Sequence, residues 1–75
     1  MGIPMSSLEP GQSGRVLELM SGGSLRHRLL DLGLIPGTRV ERLMNSPIGD
    51  PACYRIRGAM IALRTQDAGR IRVAV

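Results

Sequence analysis

The chain has 75 residues, which suffices for one small domain and leaves little room for a deep catalytic cleft behind a complete core. Its hydrophobic fraction of 43% is typical of a folded domain, and no apolar run reaches the ~18 residues of a membrane span. The net charge is +4, all ten basic residues are arginines, and a single tyrosine is the only aromatic residue, which argues against base-stacking surfaces and grooves for proline-rich peptides.

We expect one domain over residues 1–75, with residues 1–6 disordered and no signal peptide, because the N-terminus lacks a basic region and a long apolar stretch. A Pro-Gly pair at positions 10 and 11 predicts a turn, and residues 14–20 have the pattern of a strand. Leu17 and Leu19 share one face of this strand while Val16 falls on the other. This pattern predicts either a bulge or burial on both faces.

Residues 24–33 have the spacing of the one helix in the chain. The apolar positions recur at helical intervals: Leu25, Leu29, Leu30 and Leu32. Ser24 is the predicted N-cap of this helix. Gly33 is predicted to end it in the left-handed conformation, so that Leu34 folds back onto the last turn.

The second half of the chain alternates short strands with turns. The sequence predicts a turn at 35–38, a strand at 38–44, a loop at 45–51, a strand near 54–57, a turn at Gly58-Ala59, a strand at 60–64, a helical turn at 65–69 and a last strand at 71–75. About five strands in so small a chain favour an all-β fold, a closed or nearly closed barrel, because closure removes exposed sheet edges.

Few side chains in this sequence could carry catalysis or hold a metal. A zinc site needs about four Cys or His ligands, and the chain has only His27 and Cys53. His27 and Asp31 lie one helical turn apart and are weak metal candidates, although that spacing is more often a surface ion pair. Cys53 begins an apolar strand, where cysteine usually packs as a small hydrophobic residue. We therefore expect no enzyme activity and no cofactor.

Two stretches of sequence carry a family likeness. One is residues 29–38, Leu-Leu-Asp-Leu-Gly-Leu-Ile-Pro-Gly-Thr; the other joins residues 46–51, 54–58 and 61–64. In this order and spacing they resemble the FeoA family, over a span from about Leu8 to Val75. The resemblance implies an SH3-like β-barrel that works in the cytoplasm beside FeoB, a membrane-embedded ferrous-iron transporter with a G-protein domain.

The same resemblance implies that the chain binds and modulates this transporter and reaches the membrane only through it. A similar domain ends iron-dependent repressors of the diphtheria-toxin-repressor type, but no DNA-binding domain precedes it here, so we expect no repressor role. Two alternatives stay open. The excess of arginine suits a small nucleic-acid-binding barrel, although we expect no nucleic-acid partner, and His27 with Asp31 suits a metal-responsive regulatory domain.

The partner-binding residues are predicted on the helix and in the 45–51 loop. Arg26, Arg28 and Leu29 are the helix candidates, because four leucines exceed the single apolar stripe that a surface helix needs. A competing interpretation is that all these leucines belong to the core. Asp50 is the loop candidate, since two prolines and a glycine fix the shape of its loop. Recognition and a purely structural connection are the two alternatives for this loop. A homodimer is also possible.

Overall fold

The computed structural model describes residues 2–44 and 49–75, and within these ranges six strands form one antiparallel sheet. The strands are β1 (Ile3–Pro4), β2 (Ser13–Leu19), β3 (Arg39–Arg42), β4 (Ala52–Ile56), β5 (Ala59–Leu63) and β6 (Ile71–Ala74), in the sheet order β1-β6-β2-β3-β4-β5. Helix α1 spans Gly23–Asp31, α2 spans Thr65–Ala68, and a 3-10 turn covers Met5–Ser7. The predicted all-β class is confirmed, with six strands in place of about five.

The N-terminal segment, for which the sequence predicts disorder over residues 1–6, pairs with the sheet and packs on the core from Ile3 to Met5. Ile3 pairs with Val73 of β6, and Met5 is completely buried. Arg72 also donates a hydrogen bond of 2.6 Å from Nη2 to the carbonyl oxygen of Gly2. This short segment is held by pairing along β6 and by one core side chain, neither of which leaves a periodic pattern in the sequence.

Strand β2 contains the bulge that its sequence allowed. Its register against β6 shifts between Val16 and Glu18, so the extra residue changes which side chains face inward. Val16 and Leu19 are both buried, whereas Leu17 is exposed. Leu17 and Leu19, which would share one face of a regular strand, are separated by this bulge.

Helix α1 begins and ends in different ways. Its N-cap is Gly22, without a side-chain hydrogen bond, and Ser24 lies inside the first turn, so the predicted Ser24 cap is wrong. At the other end Gly33 has a φ of +97°, and its N–H donates to the oxygen of Leu30 at 2.9 Å. Leu34 N–H donates to the oxygen of Leu29 at 3.1 Å, which completes a Schellman motif and confirms the predicted C-terminus.

A single core lies inside the curved sheet. It receives buried side chains from β2 to β6 and from both helices: Met5, Leu8, Val16, Leu19, Leu29, Leu34, Val40, Ala52, Tyr54, Ile56, Leu63, Ala68, Ile71 and Val73. None of the helices in the described ranges is long and apolar enough to span a membrane.

The turn between β4 and β5 sits one residue earlier than predicted. Ile56 pairs with Ala59, so Arg57 and Gly58 form the two-residue turn. Both have positive φ, 52° and 83°, as a type I′ hairpin turn requires. Arginine is uncommon at a position with positive φ. The stem of its side chain lies next to Gly33.

Candidate functional site

The helix candidates divide into exposed arginines and buried leucines. Arg26 and Arg28 are exposed, and Arg26 Nη1 donates to the carbonyl oxygen of Leu19 at 3.3 Å. Leu29 is fully buried and the other leucines of the stripe are half-buried against the core. In this structure Leu29 is a core residue rather than an exposed contact, and the other leucines of α1 pack partly buried against the same core.

Asp50 holds the start of α2. Its Oδ1 accepts a hydrogen bond of 2.9 Å from the Thr65 N–H and one of 3.1 Å from the Thr65 hydroxyl. An N–H at a helix start has no partner within the helix, so a carboxylate there acts as a cap even from a distant loop. Most of the predicted 45–51 loop, residues 45–48, lies outside the described residues.

The metal and thiol candidates lie on separate elements. His27 and Asp31 are both exposed on α1, and the described residues contain no group of three or more His, Cys, Asp or Glu side chains placed to hold a metal. Cys53 is half-buried on β4, opposite Ala62 of β5. Its position in a strand next to an apolar neighbour agrees with packing as a small hydrophobic residue.

A concave surface of about 560 Å³ lies at one end of the sheet, away from these predicted residues. We call it the arginine pocket and define it by its lining: Ile35, Pro36, Gly37, Thr38, Arg39, Arg55, Arg57 and Gly58. Its volume falls within the range of ~300–1,000 Å³ that ligand sites usually have.

Strand register places the arginines on this surface. Val40 of β3 pairs with Ile56 of β4, and both side chains are fully buried. Because side chains alternate across a strand, Arg39 and Arg55 lie on the same outer face, in diagonal positions, and Arg55 is directly opposite Glu41. Arg57 follows in the hairpin turn, so the outer face of β3 and β4 and this turn together carry three guanidinium groups.

The opposite wall of the arginine pocket is a turn that β2 holds in place. Thr38 N–H donates to the oxygen of Ile35 at 3.0 Å, which confirms the predicted turn at 35–38. Gly37 N–H donates to the oxygen of Val16 at 2.7 Å, and Arg15 Nη1 donates to the oxygen of Gly37 at 3.0 Å. The pocket is thus built on fixed backbone.

Gly33 connects the end of α1 to the arginine pocket. A Cβ atom added at Gly33 would collide with Cδ of Arg57. The missing side chain therefore serves twice: it permits the left-handed end of the helix and leaves room for the stem of Arg57.

Among the residues that the structure describes, the guanidinium groups of the arginine pocket have no ionic partner. Within residues 2–44 and 49–75, Arg39, Arg55 and Arg57 make no ion pair, and Glu41 only faces Arg55 across the β3–β4 pair. The five residues outside those ranges carry no acidic side chain. A local excess of positive charge results.

Arg42 is used differently, since it packs over the core. Its guanidinium carbon lies 5.6 Å from the centre of the Tyr54 ring, and Nη1 donates to the oxygen of Leu8 at 2.9 Å. Burial raises the pKa of the Tyr54 phenol, and the nearby positive charge of Arg42 partly offsets that increase. Tyr54 is fully buried and cannot stack on a base.

Sequence reasoning missed the arginine pocket because its residues come from separate elements. The alternation of Arg39 with Val40, and of Arg55 and Arg57 with Ile56, predicts arginines on an outer face. Only the pairing of β3 with β4 and the one-residue shift of the hairpin turn bring these side chains to one surface.

The six-stranded sheet, its single core and its basic concave surface define a small all-β domain. Comparison with known proteins identifies its family. A family model described as the FeoA domain matches residues 3–75. The chain therefore belongs to the FeoA domain family.

Three similar proteins place this family in iron transport and give the fold its class. A fusion protein of Fe(2+) transport protein A and the Fe(2+) transporter FeoB, from Porphyromonas gingivalis, is 30% identical over 92% of this chain, which spans 8% of that protein's length. A crystal structure of an iron uptake regulatory protein, FeoA, is 32% identical, with a TM-score of 0.86 and coverage of 99% and 97% of the two chains.

A FeoA of Stenotrophomonas maltophilia, crystallised with zinc and described as a prokaryotic SH3 domain protein, is 26% identical with a TM-score of 0.82, over 97% of this chain and 88% of that one. The fold is SH3-like, as the resemblance implied. Despite that fold, the described surface lacks the aromatic groove with which SH3 domains bind proline-rich peptides, since the one aromatic side chain is buried.

Proposed function

We propose that this chain is a binding subunit that docks on the cytoplasmic part of a FeoB-type ferrous-iron transporter and modulates its activity. The observation that carries the proposal is the similarity to a protein whose name joins transport protein A to FeoB in one polypeptide. Fusion keeps two modules at high effective concentration, which is an advantage when they bind one another. We infer the same contact for the present chain in the cytoplasm.

The chain's charge supports binding to an acidic surface. Arg26 and Arg28 are exposed on α1, and complementary charge mainly raises the rate and specificity of association. Since the leucines of α1 pack in or against the core, these arginines contribute charge to binding and have no separate apolar strip next to them. Asp50 is an indirect contributor, because it fixes the start of α2.

The test is a titration of the transporter's purified cytoplasmic domain with this chain at low ionic strength, by calorimetry or interferometry. We expect saturable binding that weakens as salt is added. The variant Arg26→Glu with Arg28→Glu should remain folded and bind more weakly. Absence of binding by the wild-type chain in every nucleotide state would overturn the proposed function, whereas unchanged binding by the variant would remove α1 as the contact.

A further inference from the structure

We propose that the arginine pocket binds an acidic peptide segment of the partner, with side-chain carboxylates held by Arg39, Arg55 and Arg57. This inference rests on the proposed function for the identity of the protein that supplies the segment. The site itself is inferred from the arrangement of charge and apolar surface described above.

The first observation is the charge of the pocket. Its three arginines come from β3, from β4 and from the β4–β5 turn, and in the described part of the chain none is neutralised by a carboxylate in contact. Like charges brought together repel one another, and this repulsion is relieved when an anion binds between them. Guanidinium groups form paired hydrogen bonds with carboxylates, which adds geometric selectivity to the attraction.

The second observation is the apolar surface next to the arginines. Ile35 is 45% exposed on the turn that forms one wall, and Pro36 follows it. Met60 is 72% exposed on β5 and is the cross-strand neighbour of Arg55. Aliphatic surface beside guanidinium groups suits a peptide, whose backbone and side-chain stems need contact while its carboxylates need charge.

The third observation separates a peptide from other polyanions. Single-stranded nucleic acid is usually held by aromatic side chains on which bases stack, and Tyr54 is buried. A lipid surface is broad and flat, whereas these arginines surround a concavity of about 560 Å³. An extended acidic segment fits both the charge and the shape.

The test measures peptide binding directly. The probe is a fluorescein-labelled octapeptide of alternating aspartate and glycine, followed by fluorescence anisotropy at low ionic strength. The pocket variant is Arg39→Glu with Arg55→Glu, and the matched control is Arg64→Glu with Arg70→Glu, two exposed arginines that do not line the pocket. Both have a net charge of zero, since each replacement removes two units from +4. We expect the pocket variant to lose about tenfold or more in affinity and the control to lose less than about twofold.

A second variant tests whether misfolding, rather than loss of charge, explains weaker peptide binding. Arg39→Gln with Arg55→Gln removes the charge without adding acid, and its far-UV circular dichroism should match the wild type. Equal weakening by pocket and control variants would show that only net charge matters and would overturn the proposal. So would tighter binding of a single-stranded oligonucleotide of equal charge that is lost in the same pocket variant, since it would assign the pocket to nucleic acid.

The transporter's cytoplasmic domain gives an independent measurement. If the wild type binds the peptide but not this domain, the proposed function fails and the pocket assignment stands for another partner. If the pocket variant loses the peptide yet binds the domain with wild-type affinity, the domain does not supply the segment and this inference is overturned. Parallel loss of both activities in the pocket variant supports the inference.

Discussion

The two groups of exposed arginines, on α1 and in the arginine pocket, differ in how they are anchored. Arg26 and Arg28 are neighbours in sequence on a convex helix whose apolar side is already covered, and Arg26 bonds to the carbonyl of Leu19. Arg39, Arg55 and Arg57 are far apart in sequence, meet around a concavity, and keep an apolar wall beside them. Clustering in sequence draws attention to the first group, whereas clustering in space around a concavity with apolar surface beside it favours the second as a ligand site.

The largest expected effect concerns the residue that joins these two regions. Gly33→Val should lower the free energy of unfolding by about 1–3 kcal/mol, because valine is strained at a φ of +97° and its Cβ displaces Arg57. Chemical denaturation measures the loss. Gly58→Ala is the control: Gly58 also has positive φ but open space around it, so the cost should be only about 1 kcal/mol.

A second comparison is possible at the same position. Arg57→Ala in the Gly33→Ala background should recover the part of the loss that comes from the collision and leave the part that comes from φ. If the two substitutions are simply additive, Arg57 does not pack over Gly33, and the helix end and the arginine pocket are independent.

Asp50→Ala comes next in size and tests whether this loop residue is a structural anchor. Loss of the acceptor for the Thr65 N–H and hydroxyl should cost about 1 kcal/mol of unfolding free energy. Asp50→Asn keeps an oxygen acceptor and should lose less. An unchanged denaturation midpoint for Asp50→Ala would mean that α2 begins without this cap and would return Asp50 to the recognition candidates.

These contrasts show how far the sequence predicts the molecule. Strand alternation and the spacing of Leu25, Leu29 and Leu32 suffice for the all-β class and the one helix, and Gly33 suffices for its end, because each is a local pattern. Pairing of residues 3–4 with β6 and the meeting of Arg39 with Arg57 depend on contacts between distant segments. The burial of Leu29 could not be predicted, because periodicity identifies an apolar stripe but not how much of it the core uses.

The next prediction concerns Tyr54, the buried ring over which Arg42 packs, in contrast to the exposed arginines of the pocket. Because burial raises the pKa of Tyr54 above 10.0 in the folded state, the unfolded chain ionises first as pH rises. Stability is therefore unaffected by this group below pH ~10 and falls above it. Urea midpoints across alkaline pH measure the decline, and Tyr54→Phe should make it shallower. A decline of the same slope in Tyr54→Phe would assign it to other groups.

The smallest effect tests the arginine pocket with its own acidic neighbour. Glu41 faces Arg55 across the β3–β4 pair and partly offsets its charge, so Glu41→Gln should strengthen binding of the acidic octapeptide by about two- to threefold. Glu18→Gln is the matched control, because Glu18 lies opposite Arg72 and away from the pocket, and its loss changes net charge by the same amount. Anisotropy titrations of both variants at low and moderate salt separate local from overall charge. Equal gains would show that the octapeptide senses only net charge, whereas a gain confined to Glu41→Gln would place the bound carboxylates beside Arg55.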